Sequence, residues 1–371
     1  MGMCQNKPAE YTSTIPSFKG DMPEADDEDD NIGETTQLPI EGESVTMKQK
    51  LSLEDFELIK VIGRGSFGKV LLVRKNDNRQ LFAVKILRKK MLTQKKQQNQ
   101  AIQERKIMSI INSSFMVKLH YAFQSSSRLY MVMDFMQGGE LFLHLRKRFK
   151  FPEDWVQFYA AELLVAIDLL HQQNIIYRDL KPENILLDKD GHIVLTDFGL
   201  SKLGFEKNEM TYSFCGTPEY VAPEILYQRG HTFTVDFYSY GALIYEMLSG
   251  MPPYYSKNKR EMLKNRCEKP LELKSCFSFQ AASLLKGLLI KDPGLRLGHN
   301  GIQEIKKHNF FNGIDWKLVE LRKLQPPIIP KIQNAQDLSN FAPVFLQQPI
   351  LDTPESKINE YFEGFTYQQL M

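Results

Sequence analysis

Cysteine is scarce, four in 371 residues, and Cys4, Cys215, Cys267 and Cys276 show no paired spacing of the kind that holds a metal. They read as free thiols, and no disulfide framework is expected. Long apolar runs are missing as well. No stretch of about 18 uncharged apolar residues occurs, so no membrane-spanning helix is expected. The first residues lack the cationic and apolar regions of a secretory signal, which points to the cytoplasm or the nucleus. Strong net charge is absent too: 47 basic against 45 acidic residues leave +2, and no nucleic-acid partner is expected. There is no internal repeat.

The near-neutral total hides a split. Residues 1–50 hold eleven acids against four lysines, a net of −7, which from a total of +2 leaves +9 for the rest. This lead is poor in aromatics, carries the acidic run Asp26 to Asp30, and cannot bury enough apolar surface to offset chain entropy. Disorder is expected there. From Phe56 the pattern changes to short β-branched and aromatic runs at Phe56–Ile62, Val70–Val73 and Leu81–Ile86, expected as consecutive antiparallel strands. A helix around Glu104 and two more strands, the second ending Tyr130–Met133, follow. Beyond Gly138-Gly139 the period becomes helical, as in Val156–His171 and Val235–Leu248, up to about Phe311. The last sixty residues open with Pro326-Pro327-Ile328-Ile329-Pro330 and hold only scattered aromatics, the pattern of a tail that wraps another surface.

Gly63-Arg64-Gly65-Ser66-Phe67-Gly68-Lys69-Val70 lies between two expected strands, where three glycines let the backbone approach a polyphosphate. Alone this could be a glycine-rich hairpin turn. A dinucleotide fold is disfavoured, because a strand follows the glycines where a helix should open. The company of the loop decides the reading. Lys85 ends Phe82-Ala83-Val84-Lys85 on the next strand, and Glu104 follows nineteen residues later, suited to pair the ammonium while it holds phosphates. Tyr177-Arg178-Asp179-Leu180-Lys181-Pro182-Glu183-Asn184 and Asp197-Phe198-Gly199 complete the set. Phosphoryl transfer needs a carboxylate for the acceptor hydroxyl (Asp179), a cation on the moving phosphoryl (Lys181), and oxygen ligands for magnesium (Asn184, Asp197).

Residues 56–311 thus resemble a eukaryotic protein kinase, with Ala222-Pro223-Glu224 and Arg296 as the expected buried ion partner of that glutamate. Tyr177, the segment Phe214-Cys215-Gly216-Thr217-Pro218-Glu219-Tyr220 and the aromatic tail are similar to the AGC group. Within it, the nearest likeness is to the protein kinase B, serum- and glucocorticoid-regulated kinase and ribosomal-protein kinase cluster. The resemblance implies an α+β, bilobal fold with a small antiparallel β-rich lobe carrying one long helix and a larger, mostly helical lobe. It divides the chain into an acidic lead (1–55), a catalytic domain (56–311) and a regulatory tail (312–371).

The resemblance further implies use of ATP and Mg2+. The nucleotide would meet Ile62, Gly63, Arg64, Gly65, Ser66, Phe67, Gly68, Lys69, Val70, Ala83, Lys85, Glu104, Met133, Asp134, Met136, Glu140 and Leu186. Lys181 and Thr217 imply serine/threonine specificity. Glu140, Glu183 and Glu246 match acidic positions that accept arginines upstream of the acceptor, so substrates with basic segments are expected. The implied phosphosites are Ser213 in the activation loop, opposite Arg178 and Lys202, Thr353 in a turn motif, and Thr366 in the hydrophobic motif Phe362-Glu363-Gly364-Phe365-Thr366-Tyr367. A phosphoinositide-dependent-type kinase is the expected upstream partner for Ser213.

Two departures stand out. Gln100 stands where the group usually has a histidine one turn before Glu104, so the resemblance implies weaker coupling between loop phosphate and helix, and Ala342 follows Phe341 where the group prefers aspartate. Gly2 and Cys4 suit myristoylation plus palmitoylation, with Asn6 where serine or threonine is usual. No phosphoinositide-binding domain is expected in the 55 residues before Phe56. The expected molecule is a monomeric, cytoplasmic kinase, with membrane association or nuclear residence kept open. The competing reading, a pseudokinase scaffold, is disfavoured because Lys85, Asp179, Asn184 and Asp197 are all present.

Overall fold

The computed structural model describes residues 51–65, 67–206, 209–350 and 360–369. The acidic lead before Leu51, with Gly2 and Cys4, lies outside the described residues, as do Ser66 and Thr353.

The small lobe is built from strands β1 (Phe56–Gly65), β2 (Gly68–Lys75), β3 (Leu81–Arg88), β4 (Leu119–Gln124) and β5 (Arg128–Asp134), with helices α1 (Lys89–Gln94) and α2 (Gln98–Ile110) inserted after β3. The expected strands are present and extend further toward the glycine loop. The short helix α1 was not expected. Alternation of the strand residues places Phe56, Val61, Leu71, Val73, Phe82, Val84, Tyr121, Phe123 and Val132 in one apolar layer. Pairing is antiparallel throughout, and Val70 lies opposite Lys85. Gly68 is a steric requirement here: a Cβ on it would fall 1.7 Å from the Ile86 carbonyl oxygen.

The large lobe contains the short strands β6 (Gly139–Glu140), β7 (Ile175–Ile176), β8 (Ile185–Leu187), β9 (Ile193–Leu195) and β10 (Lys202–Leu203). Its helices are α3 (Leu141–Arg148), α4 (Glu153–Gln172), α5 (Pro223–Leu226), α6 (Thr234–Ser249), α7 (Lys259–Glu268), α8 (Phe279–Leu288), α9 (Gln303–Lys306) and α10 (Trp316–Glu320). Helix α6 is buried on every side from Thr234 to Leu248, as its near-continuous apolar sequence requires, and α4 and α8 pack on it. It ends at Gly250, whose φ of 87° is the left-handed cap that glycine favours. Arg296 binds both oxygens of Glu224, at 2.6 and 2.9 Å, fully inside the lobe.

The tail wraps both lobes. Ile328 is buried against Gly191, Phe341 stacks on Phe135 at 5.6 Å between ring centroids, and α11 (Pro343–Leu346) packs beside β1. Asn340 donates to the Gln137 carbonyl at 3.1 Å, so the polar tether comes from the residue before Phe341, and Ala342 has no part in it. Beyond the expected wrapping, the tail adds a strand, β11 (Tyr367–Gln368), antiparallel to β4 and making the small-lobe sheet six-stranded.

Candidate active site

Strand β3 carries Lys85 and helix α2 carries Glu104. Lys85 Nζ lies 2.6 Å from Glu104 Oε1 and 2.9 Å from Asp197 Oδ1. Burial alone would discharge this lysine, but the two carboxylates outweigh it and its pKa rises above the ordinary value. Lys85 in turn holds the Asp197 carboxyl below the usual range. Asp197 has φ of 60° and Arg178 has φ of 67°, conformations that cost a non-glycine residue and persist because the surroundings enforce them.

The enforcement at Arg178 comes from a residue the sequence reading did not single out. Asp236, fully buried in α6, accepts from the amides of Tyr177 (2.9 Å) and Arg178 (2.8 Å) and contacts His171 Nε2 at 2.8 Å. The available signal was an acid inside the apolar run Val235–Leu248, which a helix lodged in the core tolerates only with partners. From this anchored loop Asp179 projects into the cleft. Thr217 Oγ1 donates to Asp179 Oδ1 at 2.6 Å, while Lys181 Nζ reaches Asp179 Oδ2 at 2.6 Å and Thr217 Oγ1 at 3.0 Å. Asn184 Nδ2 donates to the Asp179 backbone carbonyl at 2.9 Å, which orients its amide oxygen away from that contact.

These groups share one cleft of about 780 Å³ between the lobes. Every described residue assigned to the nucleotide lines it: Ile62, Val70, Ala83, Met133, Met136 and Leu186 as apolar walls, Gly63, Arg64, Gly65, Phe67, Gly68 and Lys69 of the glycine loop above, and Lys85, Asp134, Glu104 and Glu140 as polar groups. Phe341 of the tail closes one side. Asp179, Lys181, Asn184, Asp197, Glu183 and Thr217 line the same space. An apolar slot opening onto a lysine and two oxygen-bearing side chains is chemically suited to a base attached to a charged phosphate chain.

Of the three acidic positions, Glu140 and Glu183 border the cleft, whereas Glu246 lies deeper on α6 and accepts from the Tyr220 hydroxyl. Burial pushes the Glu246 carboxyl up to about 7 and, with the Glu183 charge beside it, Glu140 up to about 6. Burial also raises Glu183, whose Oε2 is buried with no hydrogen-bond partner among the described residues. Ser213 Oγ receives a bond from Arg178 Nη1 at 2.7 Å and contacts Thr211 Oγ1 at 3.1 Å. Lys202, expected opposite Ser213, bonds Glu209 at 2.9 Å.

Docking of the tail completes the small-lobe side. Phe362 and Phe365 are 3 % and 0 % exposed, inside the main core cluster, while Thr366 points outward. Gln124 accepts from the Phe362 amide at 3.0 Å and donates to its carbonyl at 2.8 Å. The Lys89 ammonium stands over the Phe362 ring at 5.2 Å, and Arg105 of α2 donates to the Gly364 carbonyl. Gln124, Lys89 and Arg105 had no sequence signal as a set, because they come from three separate elements.

The family profile for the protein kinase domain matches residues 56–311, and that for the protein kinase C terminal domain matches residues 332–367. The chain is 46 % identical over 328 residues to Protein kinase 2 of Dictyostelium discoideum, covering 86 % of this chain and 68 % of that protein. It is 46 % identical over 327 residues to the serine/threonine-protein kinase Sgk1 of Xenopus tropicalis, covering 84 % and 78 %. To the serine/threonine-protein kinase YPK1 of Saccharomyces cerevisiae it is 44 % identical over 322 residues, 85 % of this chain and 47 % of the relative. With a bilobal fold, an intact catalytic set and a docked tail that matches a profile of its own, the chain belongs to the protein kinase family, as a serine/threonine kinase of the AGC group.

Proposed function

We propose that this kinase phosphorylates serine or threonine within arginine-bearing segments, with Asp179 as the group that orients and deprotonates the acceptor hydroxyl. Asp179 is held for that task on both oxygens, by Thr217 and Lys181, so its free lone pairs face a narrow region of the cleft. Lys181 is within reach of a phosphoryl passing toward that region and offsets its charge. Lys85, kept charged by Glu104 and Asp197, would hold the α- and β-phosphates. Protein kinase domains use ATP and Mg2+ in general. The donor set here fits the metal: the Asn184 amide oxygen and the Asp197 carboxylate are the protein oxygens that would hold a small, hard divalent cation in the cleft. When bound, Mg2+ neutralises charge on the β- and γ-phosphates.

The observation that carries the substrate reading is the unpartnered, buried Glu183 Oε2, flanked by Glu140 and set near Glu246, carboxyls whose charge burial disfavours. A guanidinium restores the missing bonds in a way that water-excluded carboxyls favour. Ser213 and Thr366 are proposed as the activating phosphosites with Thr353 as a third, Ser213 served by a phosphoinositide-dependent-type kinase. Support comes from the Arg178 bond to Ser213 and from the exposure of Thr366 beside the buried aromatics. A cytoplasmic monomer, with membrane attachment through Gly2 and Cys4 as a further element, completes the reading. Incorporation of labelled phosphate into an arginine-containing peptide should vanish in Asp179→Asn, and Glu183→Gln should raise the KM of that peptide selectively over one lacking arginine. Full activity in Asp179→Asn would overturn the assignment of the base, and equal KM changes for the two peptides the assignment of the acidic pocket.

A further inference from the structure

Among the described residues, two guanidinium groups of the large lobe, those of Arg266 and Arg296, are fully buried, and they are partnered differently. Arg296 has a carboxylate, Glu224. Arg266, near the end of α7 and 0 % exposed, has no carboxylate within ion-pair distance among the described residues. It spends its donors on backbone: Nη2 donates to the Glu219 carbonyl at 2.7 Å, and Nη1 donates to the Val221 carbonyl at 3.0 Å and to that of Pro218. Its Nε is buried with no hydrogen-bond partner among the described residues. A cation that cannot lose its proton is therefore held in the core by carbonyl dipoles, with no carboxylate beside it among the described residues, a costly arrangement that ordinary packing would not require.

The carbonyls it holds are consecutive with one more. Ser239 Oγ donates to the Tyr220 carbonyl at 2.9 Å, so all four carbonyls from Pro218 to Val221 are tied down from beneath. This segment follows directly on Thr217, whose hydroxyl bonds Asp179, so it runs onward from the place where the acceptor hydroxyl must sit. Helix α7 is itself fixed at both ends. Asn258 caps its start, and Lys291 donates to the Cys267 and Lys269 carbonyls at 2.9 and 2.7 Å.

We propose that Arg266 is a positioning residue for the protein substrate: its single guanidinium sets the height and shape of the 218–221 platform on which the residue following the phosphoacceptor rests. The inference rests on the serine/threonine kinase activity, and on neither the arginine preference nor the phosphosites. Because none of residues 218–221 lines the cleft that holds the apolar slot and Lys85, its loss is read in the peptide and not in the nucleotide.

The experiment compares Arg266→Lys and Arg266→Met with the parent full-length chain in steady-state assays with a peptide substrate and in a positional peptide library. Lysine keeps the charge but cannot span three carbonyls; methionine keeps the stem alone. Expected is a rise of peptide KM of about tenfold for Arg266→Met and several-fold for Arg266→Lys, with kcat and the KM for ATP changed by about twofold or less. The library should lose selectivity chiefly at the position after the acceptor. Unchanged peptide KM in a folded Arg266→Lys chain, or equal losses in peptide KM, ATP KM and kcat, would overturn the proposal. If Arg266→Met fails to fold, Arg266→Lys carries the test; a lysine variant that also fails to fold would assign the residue to the lobe as a whole and overturn it as well.

Discussion

Glu104 Oε1 lies 2.6 Å from Lys85 Nζ and ties helix α2 to the middle of the small-lobe sheet. The lysine's second partner, Asp197, belongs to the other lobe, so one ammonium registers three elements at once. Glu104→Gln removes the charge but keeps the shape. Asp197 then holds Lys85 alone and can draw it off the phosphate position. A fall in kcat of at least about tenfold is expected, with the folded chain retained and a smaller effect on KM for ATP. Steady-state kinetics with thermal denaturation as the folding control measures this, and unchanged kcat would remove the ion pair from the activity.

Phe365 contributes a fully buried ring outside the lining of the cleft, and its neighbour Phe362 is gripped by Gln124 and Lys89. Truncation of a buried phenylalanine costs about 3–5 kcal/mol, more than a two-residue strand such as β11 supplies. Phe365→Ala should therefore release the tail end from β4, lower kcat, and leave nucleotide binding nearly intact. Hydrogen exchange along Leu119–Gln124 should speed up at Ala122, the partner of Tyr367 in the register that seats the Gln369 amide on the His120 carbonyl, and unaltered exchange there with full activity would contradict the docking role.

The acidic pocket makes a pH prediction with opposite signs for substrate and stability. Burial raises Glu246 to about 7 and Glu140 to about 6, so both bind protons more readily in the folded chain than in the unfolded one. Their contribution to folding is present at low pH and lost as pH rises through those values. An incoming arginine needs the carboxylates, so its binding strengthens over the same interval. Between pH 5.5 and 8 the KM of an arginine-containing peptide should fall while the melting temperature of the substrate-free chain receives a declining contribution from these groups. Glu246→Gln should flatten both trends, and a KM that climbs with pH would refute the assignment.

The catalytic set was legible because each member sits in a short motif whose spacing is fixed by one loop or one strand: Lys85, Asp179, Asn184 and Asp197 all line the cleft. The small-lobe strands were legible from alternation, and α4 and α6 from their apolar period. Long-range partners were not. Nothing in residues 177–178 announces that their amides end on Asp236, some sixty positions later, and a two-residue strand such as Tyr367–Gln368 is too short to show a period. Arg266 was hidden for the same reason: in α7, a polar helix, an arginine reads as solvated until the fold turns it under the carbonyls of Pro218, Glu219 and Val221.

Asp236 offers the sharpest test of such hidden support. Its carboxylate, itself with no exposure, accepts two backbone bonds and faces His171, and it keeps Arg178 at φ of 67° next to the residue that orients the acceptor. Asp236→Asn preserves volume but can offer one oxygen only, so one of the Tyr177 and Arg178 amides is left buried and unpaired. The stability cost is about 1–3 kcal/mol. A larger relative effect is expected on kcat, roughly ten- to a hundredfold, because a shift of Asp179 by a fraction of an ångström degrades its alignment with the hydroxyl. Denaturant unfolding and kcat measured on the same preparation separate the two. His171→Gln, which removes the imidazole but leaves both amide bonds, should lose stability with little loss of kcat, and a kcat loss equal to that of Asp236→Asn would mean that the backbone bonds are not what positions the loop.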